Sequence, residues 1–205
     1  MHTTLLDLQD LLNNQTTPQI IALTETKHRR IKSIWRHTLR NYKLIYNPSL
    51  YNKSTKRASG GTILAIHSST YKTIEPIRVP TPYQPNLSIA KLTPKLGHPI
   101  IAISAYLPQT NTPQGKQSYQ DTLTWLATLL TQQHPDLPVL LGGDLQGTPA
   151  QHPTSHSTPL TTFCTTTSLA HIGDPTTPTY LPANTPLDHW LLRLPATASP
   201  RHEDT

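Results

Sequence analysis

The stretch Leu137-Pro-Val-Leu-Leu-Gly-Gly-Asp-Leu-Gln-Gly-Thr148 decides how this chain folds. Its apolar run, Val139 to Leu141, is bounded by Pro138 and by Gly142-Gly143, the pattern of a short buried strand that ends in a sharp turn. Asp144 then falls just past the carboxyl end of that strand, with Gln146 two residues further on. In open α/β sheets ligands bind in the crevice outside the strand C-termini, so an acid delivered there is placed to meet a metal ion, a water or a phosphate. Taken alone, Gly-Gly-Asp is equally an ordinary turn, and the rest of the chain has to decide between the two readings.

Upstream, the order of elements repeats the theme of a strand followed by a polar group. Thr4 caps a predicted helix reaching about Asn14, with Leu5, Leu8, Leu11 and Leu12 on one face. Gln19 to Thr24 reads as a buried strand, and Glu25 follows it directly. Residues 30–40 read as an amphipathic helix with Ile31, Ile34, Trp35 and Leu39 inward and Arg30, Lys32, Arg36 and Arg40 outward. Strands are expected over Lys43–Asn47, Thr62–Ile66, Asn86–Leu92 and Pro99–Ala105, with Pro48 to Ser59 a polar loop. Tyr106 closes the last of these strands. Gln114 to about Gln133 is the longest predicted helix, with Tyr119, Leu123, Leu126, Leu129 and Leu130 on one face. Beyond the Gly-Gly-Asp strand come a threonine-weakened helix over Pro159–Leu169 and a final strand, Leu187–Leu192. No internal repeat or linker divides the chain, so residues 1–194 read as one domain and 195–205 as a disordered tail.

Bulk properties narrow the function. The 205 residues suffice for one sizeable core. The single cysteine, Cys164, excludes an internal disulfide; it reads as a buried thiol in a protein of a reducing, intracellular compartment. No stretch approaches the roughly 20 apolar residues of a membrane span. The net charge of +6 is unevenly spread: residues 1–116 carry 15 Lys and Arg against 4 acids, and residues 117–205 carry 2 against 7. A basic half beside an acidic half suits a surface that attracts a polyanion next to a carboxylate-rich site, although solvated helix faces give the same composition. His152 and His156 have helical spacing but lie in a proline-flanked loop, which argues against a zinc site. Trp35, Trp125 and Trp190 fall on apolar faces and read as core.

Five segments in this order carry a resemblance: Ala22-Leu-Thr-Glu-Thr-Lys27, Gly60-Gly-Thr-Ile-Leu-Ala65, Ser104-Ala-Tyr-Leu-Pro108, Gly142-Gly-Asp-Leu-Gln146 and Pro186-Leu-Asp-His-Trp190. Together they resemble the endonuclease/exonuclease/phosphatase superfamily, and most nearly the apurinic-type endonuclease domain of non-LTR retrotransposons. The resemblance implies two packed mixed β-sheets flanked by helices in a four-layer sandwich. It implies Mg²⁺ or Mn²⁺ as cofactor, DNA as partner, nuclear location for a retroelement protein, and metal-assisted phosphodiester hydrolysis. By the same likeness Glu25 matches the metal ligand and Tyr106 the tyrosine on the scissile phosphate. Asp144 matches the acid that activates water, Gln146 stands in the place of an asparagine, and Asp188 matches the aspartate that orients a catalytic histidine. Lys27, Arg29, Arg30, Lys53, Lys56 and Arg57 become candidate nucleic-acid contacts.

The pattern departs from the family at both ends. The family's first strand, with an asparagine near the metal, and its closing Ser-Asp-His motif have no counterpart in these residues, so the domain is expected to be incomplete and its catalysis weak or absent. Gln146 adds a methylene that should move its amide out of place. His189 should face away if Asp188 faces the site, because neighbouring strand residues alternate. Three functions therefore stand side by side: a DNA-nicking endonuclease, an inactive copy that keeps the fold and weak nucleic-acid binding, and a hydrolase of phosphate monoesters or small phosphodiesters.

Overall fold

Apolar runs without polar alternation require burial on both faces, and the arrangement of the strands supplies it. A computed structural model describes Leu12 and residues 17–53, 56–109, 111–147, 157–173 and 188–195. The elements begin with β1 (Ile20–Leu23), α1 (Ser33–Thr38), β2 (Tyr42–Asn47), β3 (Leu50–Asn52), β4 (Arg57–Ser59) and β5 (Thr62–His67). They continue with β6 (Tyr71–Ile77), a 3₁₀ turn over Thr81–Asn86, β7 (Leu87–Pro94), β8 (Ile100–Tyr106) and α2 (Pro113–Thr128). A π turn (Leu129–Gln133), β9 (Val139–Asp144), α3 (Ser157–Thr167), β10 (Ala170–Ile172) and β11 (Asp188–Arg193) complete the order. The predicted helix over Thr4–Asn14, apart from Leu12, and the predicted tail from 196 onward lie outside the described residues, as do His152 and His156.

Of the two larger sheets, one has three strands in the order β1-β5-β2 and the other six in the order β10-β11-β9-β8-β7-β6; β3 and β4 pair as a separate two-stranded ribbon. The architecture is α/β, but only the six-stranded sheet is mixed. Its β8 and β9 are parallel, joined by the helical crossover α2, and every other pairing in the two sheets is antiparallel. The three-stranded sheet has no helical crossover between β2 and β5, which is why it departs from the expected mixed pairing.

Three apolar clusters hold the layers together. Ile63 and Ala65 of β5 pack with Ile21, Trp35, Leu39 and Tyr42. Leu64 and Ile66, on the opposite face, pack with Ala90, Leu92 and Ala102 of the large sheet. The other face of that sheet, with Leu87, Ile89, Ile101, Ile103, Val139 and Leu141, meets Tyr119, Leu123, Leu126, Leu160 and Phe163 of the helices. Each such fully buried leucine or isoleucine contributes roughly 1.5–3 kcal/mol against exposure. Cys164 is buried in this helix layer and its thiol is pushed up to about 11 by burial, the inert thiol expected of a structural cysteine.

Several elements differ from the sequence expectation. The loop from Pro48 to Ser59 contains the hairpin β3–β4, and β6 was not anticipated at all: it is an exposed edge strand that tolerates Pro76 within it. The helix expected over 30–40 shortens to Ser33–Thr38, with Trp35 and Leu39 buried and Ile34 turned outward at 43% exposure. α2 starts on Pro113 because the Thr112 hydroxyl accepts from the Gly115 N–H at 3.1 Å. β9 does not stop before its glycines. It runs through them to Asp144, paired on both edges by β8 and β11.

Candidate active site

Register brings the distant polar residues together. Tyr106, Asp144 and Asp188 are opposite one another on β8, β9 and β11. Residues in register project from the same face of a sheet, so a phenol and two carboxylates form one row, with neighbouring strands about 4.8 Å apart. That face is the one turned toward the small sheet, because Ser104, two residues before Tyr106, donates its hydroxyl to the Leu23 carbonyl at 3.2 Å. Leu23 ends β1, and Glu25 follows two residues later. The Tyr106 hydroxyl donates to the Glu25 carboxylate, which closes the group of four.

Two pairs of glycines make this approach possible. A Cβ on Gly143, whose φ is +142°, would stand 2.0 Å from the Ala105 carbonyl oxygen and 2.9 Å from the Thr24 methyl. A Cβ on Gly142 would stand 2.5 Å from the Trp190 ring, which lies across the bare backbone there. Gly60 and Gly61 hold the Glu25 loop: their carbonyls accept the Lys27 and Thr26 N–H groups at 3.1 and 3.0 Å. That double hook keeps Glu25 and Lys27 in the left-handed region, at φ +50° and +55°, which non-glycine residues adopt at a cost. Gln146 is a third such residue, at φ +54°. Its backbone N–H donates to Asp144 Oδ1 at 3.1 Å and its Nε2 donates to Oδ2 at 2.8 Å. The longer side chain therefore does not lose contact with the site; it folds back onto one oxygen of the acid while the backbone N–H of the same residue holds the other.

The electrostatics are those of crowded carboxylates. Asp144 is pushed up to about 6, first by burial and then by the charges of Asp188 and Glu25, with the two Gln146 hydrogen bonds opposing the rise. The Tyr106 hydroxyl is held well above its ordinary range by burial, by the Glu25 charge and hydrogen bond, and by Asp144. It stays a proton donor at any working pH. Lys27 Nζ lies 3.2 Å from Glu25 Oε2, but both side chains are about two-fifths exposed, so the pair is worth at most about 1 kcal/mol and yields readily to a stronger partner. Among the described residues no three His, Cys, Asp or Glu side chains form a cage for an ion. A cation here would rest on one or two carboxylates, with Glu25 at the open edge.

The basic candidates lie on two segments that touch each other. Lys27, Arg29 and Arg30 follow Glu25 on its loop, and Lys53, Lys56 and Arg57 lie on the hairpin β3–β4; all six are exposed. The loop and the hairpin meet where the Ser49 N–H donates to the His28 carbonyl at 2.9 Å and the Arg29 guanidinium sits 5.6 Å from the centre of the Tyr51 ring. His189, next to Asp188, is in register with Gly143 on the opposite, helix-covered face. There it is buried, with its Nδ1 2.9 Å from Nε2 of His171. Sequence reasoning did not find the supports: Ser104, the hook of Gly60-Gly61, and Trp190 as the cover of Gly142. The glycine pairs were the available signal. A groove of about 670 Å³ between α2 and α3, lined by Thr124, Thr128, Thr162 and Phe163, lies on the helix side of the sheet, away from these residues.

This is the fold of the endonuclease/exonuclease/phosphatase superfamily. The chain superposes on such a protein from Bacteroides vulgatus with a TM-score of 0.62 and 13% identity, covering 91% of this chain and 77% of that one. The 3′-5′ exonuclease of Neisseria meningitidis gives 0.65 at 15% identity, with 93% and 82% covered. The endonuclease domain of TRAS1, a telomere-specific non-LTR retrotransposon, gives 0.61 at 13% identity, with 92% and 77% covered. No family model matches the sequence, and no curated protein matches it by sequence. At these identities the likeness is one of fold, and fold alone does not assign a substrate.

Proposed function

We propose that this chain is a metal-dependent phosphodiester hydrolase that nicks DNA, the endonuclease of a retrotransposon-type protein, acting where chromosomal DNA is kept. The observation that carries this reading is the meeting of Glu25, Tyr106, Asp144 and Asp188 at one rim, from four separate strand ends. The reading takes residues 1–194 as a single domain and the three apolar clusters as the seams of a four-layer sandwich. The donor set suits Mg²⁺ or Mn²⁺: it offers hard carboxylate oxygens, crowded enough to raise Asp144, and a cation between such groups relieves their repulsion. Mg²⁺ is commonly bound by one or two carboxylates with water and substrate phosphate, so Glu25, facing Asp144 and Asp188, would hold it. When bound, the ion supplies positive charge against that which develops on the phosphate.

The chain's own groups have separable roles in this reading. Asp144, held above the ordinary carboxylate range first by burial, is placed to take a proton from an attacking water near neutral pH. Gln146 fixes the acid's two oxygens by its paired hydrogen bonds. Tyr106 offers its hydroxyl proton to a phosphate oxygen in exchange for the Glu25 carboxylate. Lys27, Arg29, Arg30, Lys53, Lys56 and Arg57 face the polymer and neutralise its phosphates.

One observation favours a second reading, a copy that keeps the fold and binds DNA without turnover. The histidine next to Asp188 is buried on the opposite face with His171, so it does not serve the row. A supercoiled plasmid incubated with Mg²⁺ separates the two. The hydrolase yields nicked circles, EDTA stops it, and Asp144→Asn or Glu25→Gln each slow it at least about 100-fold. A plasmid that stays supercoiled while binding weakens with salt decides for the second reading. Comparing duplex DNA with a mononucleotide ester tests the polymer as substrate.

A further inference from the structure

The hairpin β3–β4 has a feature that phosphate binding does not explain. Tyr51 is 44% exposed at the middle of β3, and its partner across the ladder is Ala58, a residue too small to cover a ring. The Arg29 guanidinium lies over the ring at 5.6 Å from its centre, a cation–π contact that restrains the phenol and tethers it to the Glu25 loop. The surroundings are of one sign. Residues 26–74 carry 11 Lys and Arg and not one Asp or Glu. A cationic surface attracts any stretch of nucleic acid, but an open aromatic ring gains nothing from phosphates. It gains from a flat apolar surface, and in nucleic acid that surface is the face of a base. In a duplex those faces are covered by stacking, so the partner of an exposed ring is an unpaired base.

We propose that Tyr51, backed by Arg29, is a stacking site for an unpaired nucleobase, and that the favoured substrate is DNA with a single-stranded segment beside the scissile bond. This rests on the hydrolase reading for the position of the bond, but not for the stacking itself. Arg29 is four residues from Glu25, so their Cα atoms are at most about 14 Å apart, which keeps the residue backing the ring on the same loop as the carboxylate. The basic residues set affinity for the backbone, and the ring distinguishes an open base from a paired one.

Fluorescence anisotropy in EDTA, where no cleavage occurs, tests it with three probes: an unpaired oligonucleotide, a blunt duplex, and that duplex with a single-stranded overhang. Tyr51→Leu keeps an apolar side chain on an exposed strand and removes the ring. It is expected to weaken binding of the unpaired and overhang probes by about 5- to 100-fold, the effect of losing one aromatic stack, and to change blunt duplex binding less than about twofold. Tyr51→Phe keeps wild-type affinity. The salt dependence is unaltered by Tyr51→Leu, whereas Lys53→Gln lowers its slope by roughly 0.7. Equal loss on all three probes, or no loss on any, overturns the proposal, as does a wild-type chain that binds none of them. Self-association that Tyr51→Leu abolishes, with oligonucleotide binding unchanged, assigns the ring to a second copy of the chain and also overturns it. The plasmid assay reports separately on the hydrolase reading: stacking that depends on Tyr51 without any nicking leaves this site standing and removes the catalytic one.

Discussion

Replacing Asp144 by Asn should make the metal-free protein more stable while removing its activity, and the size of the gain follows from the site. The carboxyl is raised from its ordinary 3.8 to about 6 by burial and by Asp188 and Glu25. A group whose pKa is higher folded than unfolded costs nothing below pH 3.8, where both states are protonated. The cost grows between about pH 4 and pH 6, as the unfolded chain ionises and the folded one resists, and is complete above. At 1.36 kcal/mol per pH unit the ceiling is about 3 kcal/mol, and water on the open side of the rim screens roughly half of it. Asn carries no charge, and a flip of the Gln146 amide restores a donor–acceptor match to both atoms of the new side chain. The remaining gain of about 1.5 kcal/mol corresponds to a rise in Tm of about 3–6 °C for a chain of this size. Thermal melts in EDTA at pH 4, 5, 6 and 7.5 should show the two proteins converging at the acid end and separating above pH 6. Adding Mg²⁺ at pH 7.5 should narrow the gap, because the cation relieves carboxylate repulsion most where Asp144 is charged. A variant that melts lower than the wild type at pH 7.5, or a gap independent of pH, refutes the reasoning that Asp144 is destabilised by its neighbours' charges.

Three further outcomes are expected. Glu25→Gln should abolish the Mg²⁺-dependent rise in Tm while leaving the melt in EDTA within about 2 °C of wild type, because the side chain is partly exposed and its loop is held through the backbone. Gly61→Ala places a methyl 2.6 Å from Thr26 Oγ1 at a φ of +87°; urea unfolding should show a loss of about 1–3 kcal/mol, and the displaced Glu25 loop should weaken Mg²⁺ binding measured by calorimetry. Arg193 donates to the carbonyls of Leu130, His134, Leu137 and Thr167, tying β11 to the ends of both long helices. Arg193→Met leaves those oxygens without their charged donor and should cost about 2–4 kcal/mol in urea, with the site intact in the folded fraction.

The parts of this fold that can be read from sequence are those whose side chains answer to a single environment. β5, β8 and the apolar half of β9 are buried on both faces, so an uninterrupted apolar run marks them. α2 is marked by the spacing of Tyr119, Leu123, Leu126 and Leu130. The edge strand β6 has exposed residues on both faces and an internal proline, and therefore resembles a loop. The hairpin β3–β4 has only three residues in each strand, too few for any alternation to show. The Gly142-Gly143 pair resembles a turn because its reason is tertiary: the ring that requires Gly142 to be bare belongs to Trp190, in another strand. For the site, the polar residues at strand ends were legible one at a time. Their alignment in a single row depends on one parallel pairing between β8 and β9 and on the register of β11, neither of which leaves a local trace. Gln146 shows the limit from the other side. Its added methylene argues for displacement, yet the left-handed backbone at that position returns the amide to Asp144.

The junction at Gly60-Gly61 has a thermodynamic corollary. Gly60-Gly61, which hooks the Glu25 loop, directly follows β4 of the basic hairpin, and the same loop meets the hairpin's other end where the Ser49 N–H donates to the His28 carbonyl. A polymer that grips the hairpin therefore steadies the carboxylate as well. By reciprocity, any such steadying that sharpens the affinity for a cation must return as an equal gain in affinity for the strand once the cation is in place. The two ligands would then load as a cooperative pair.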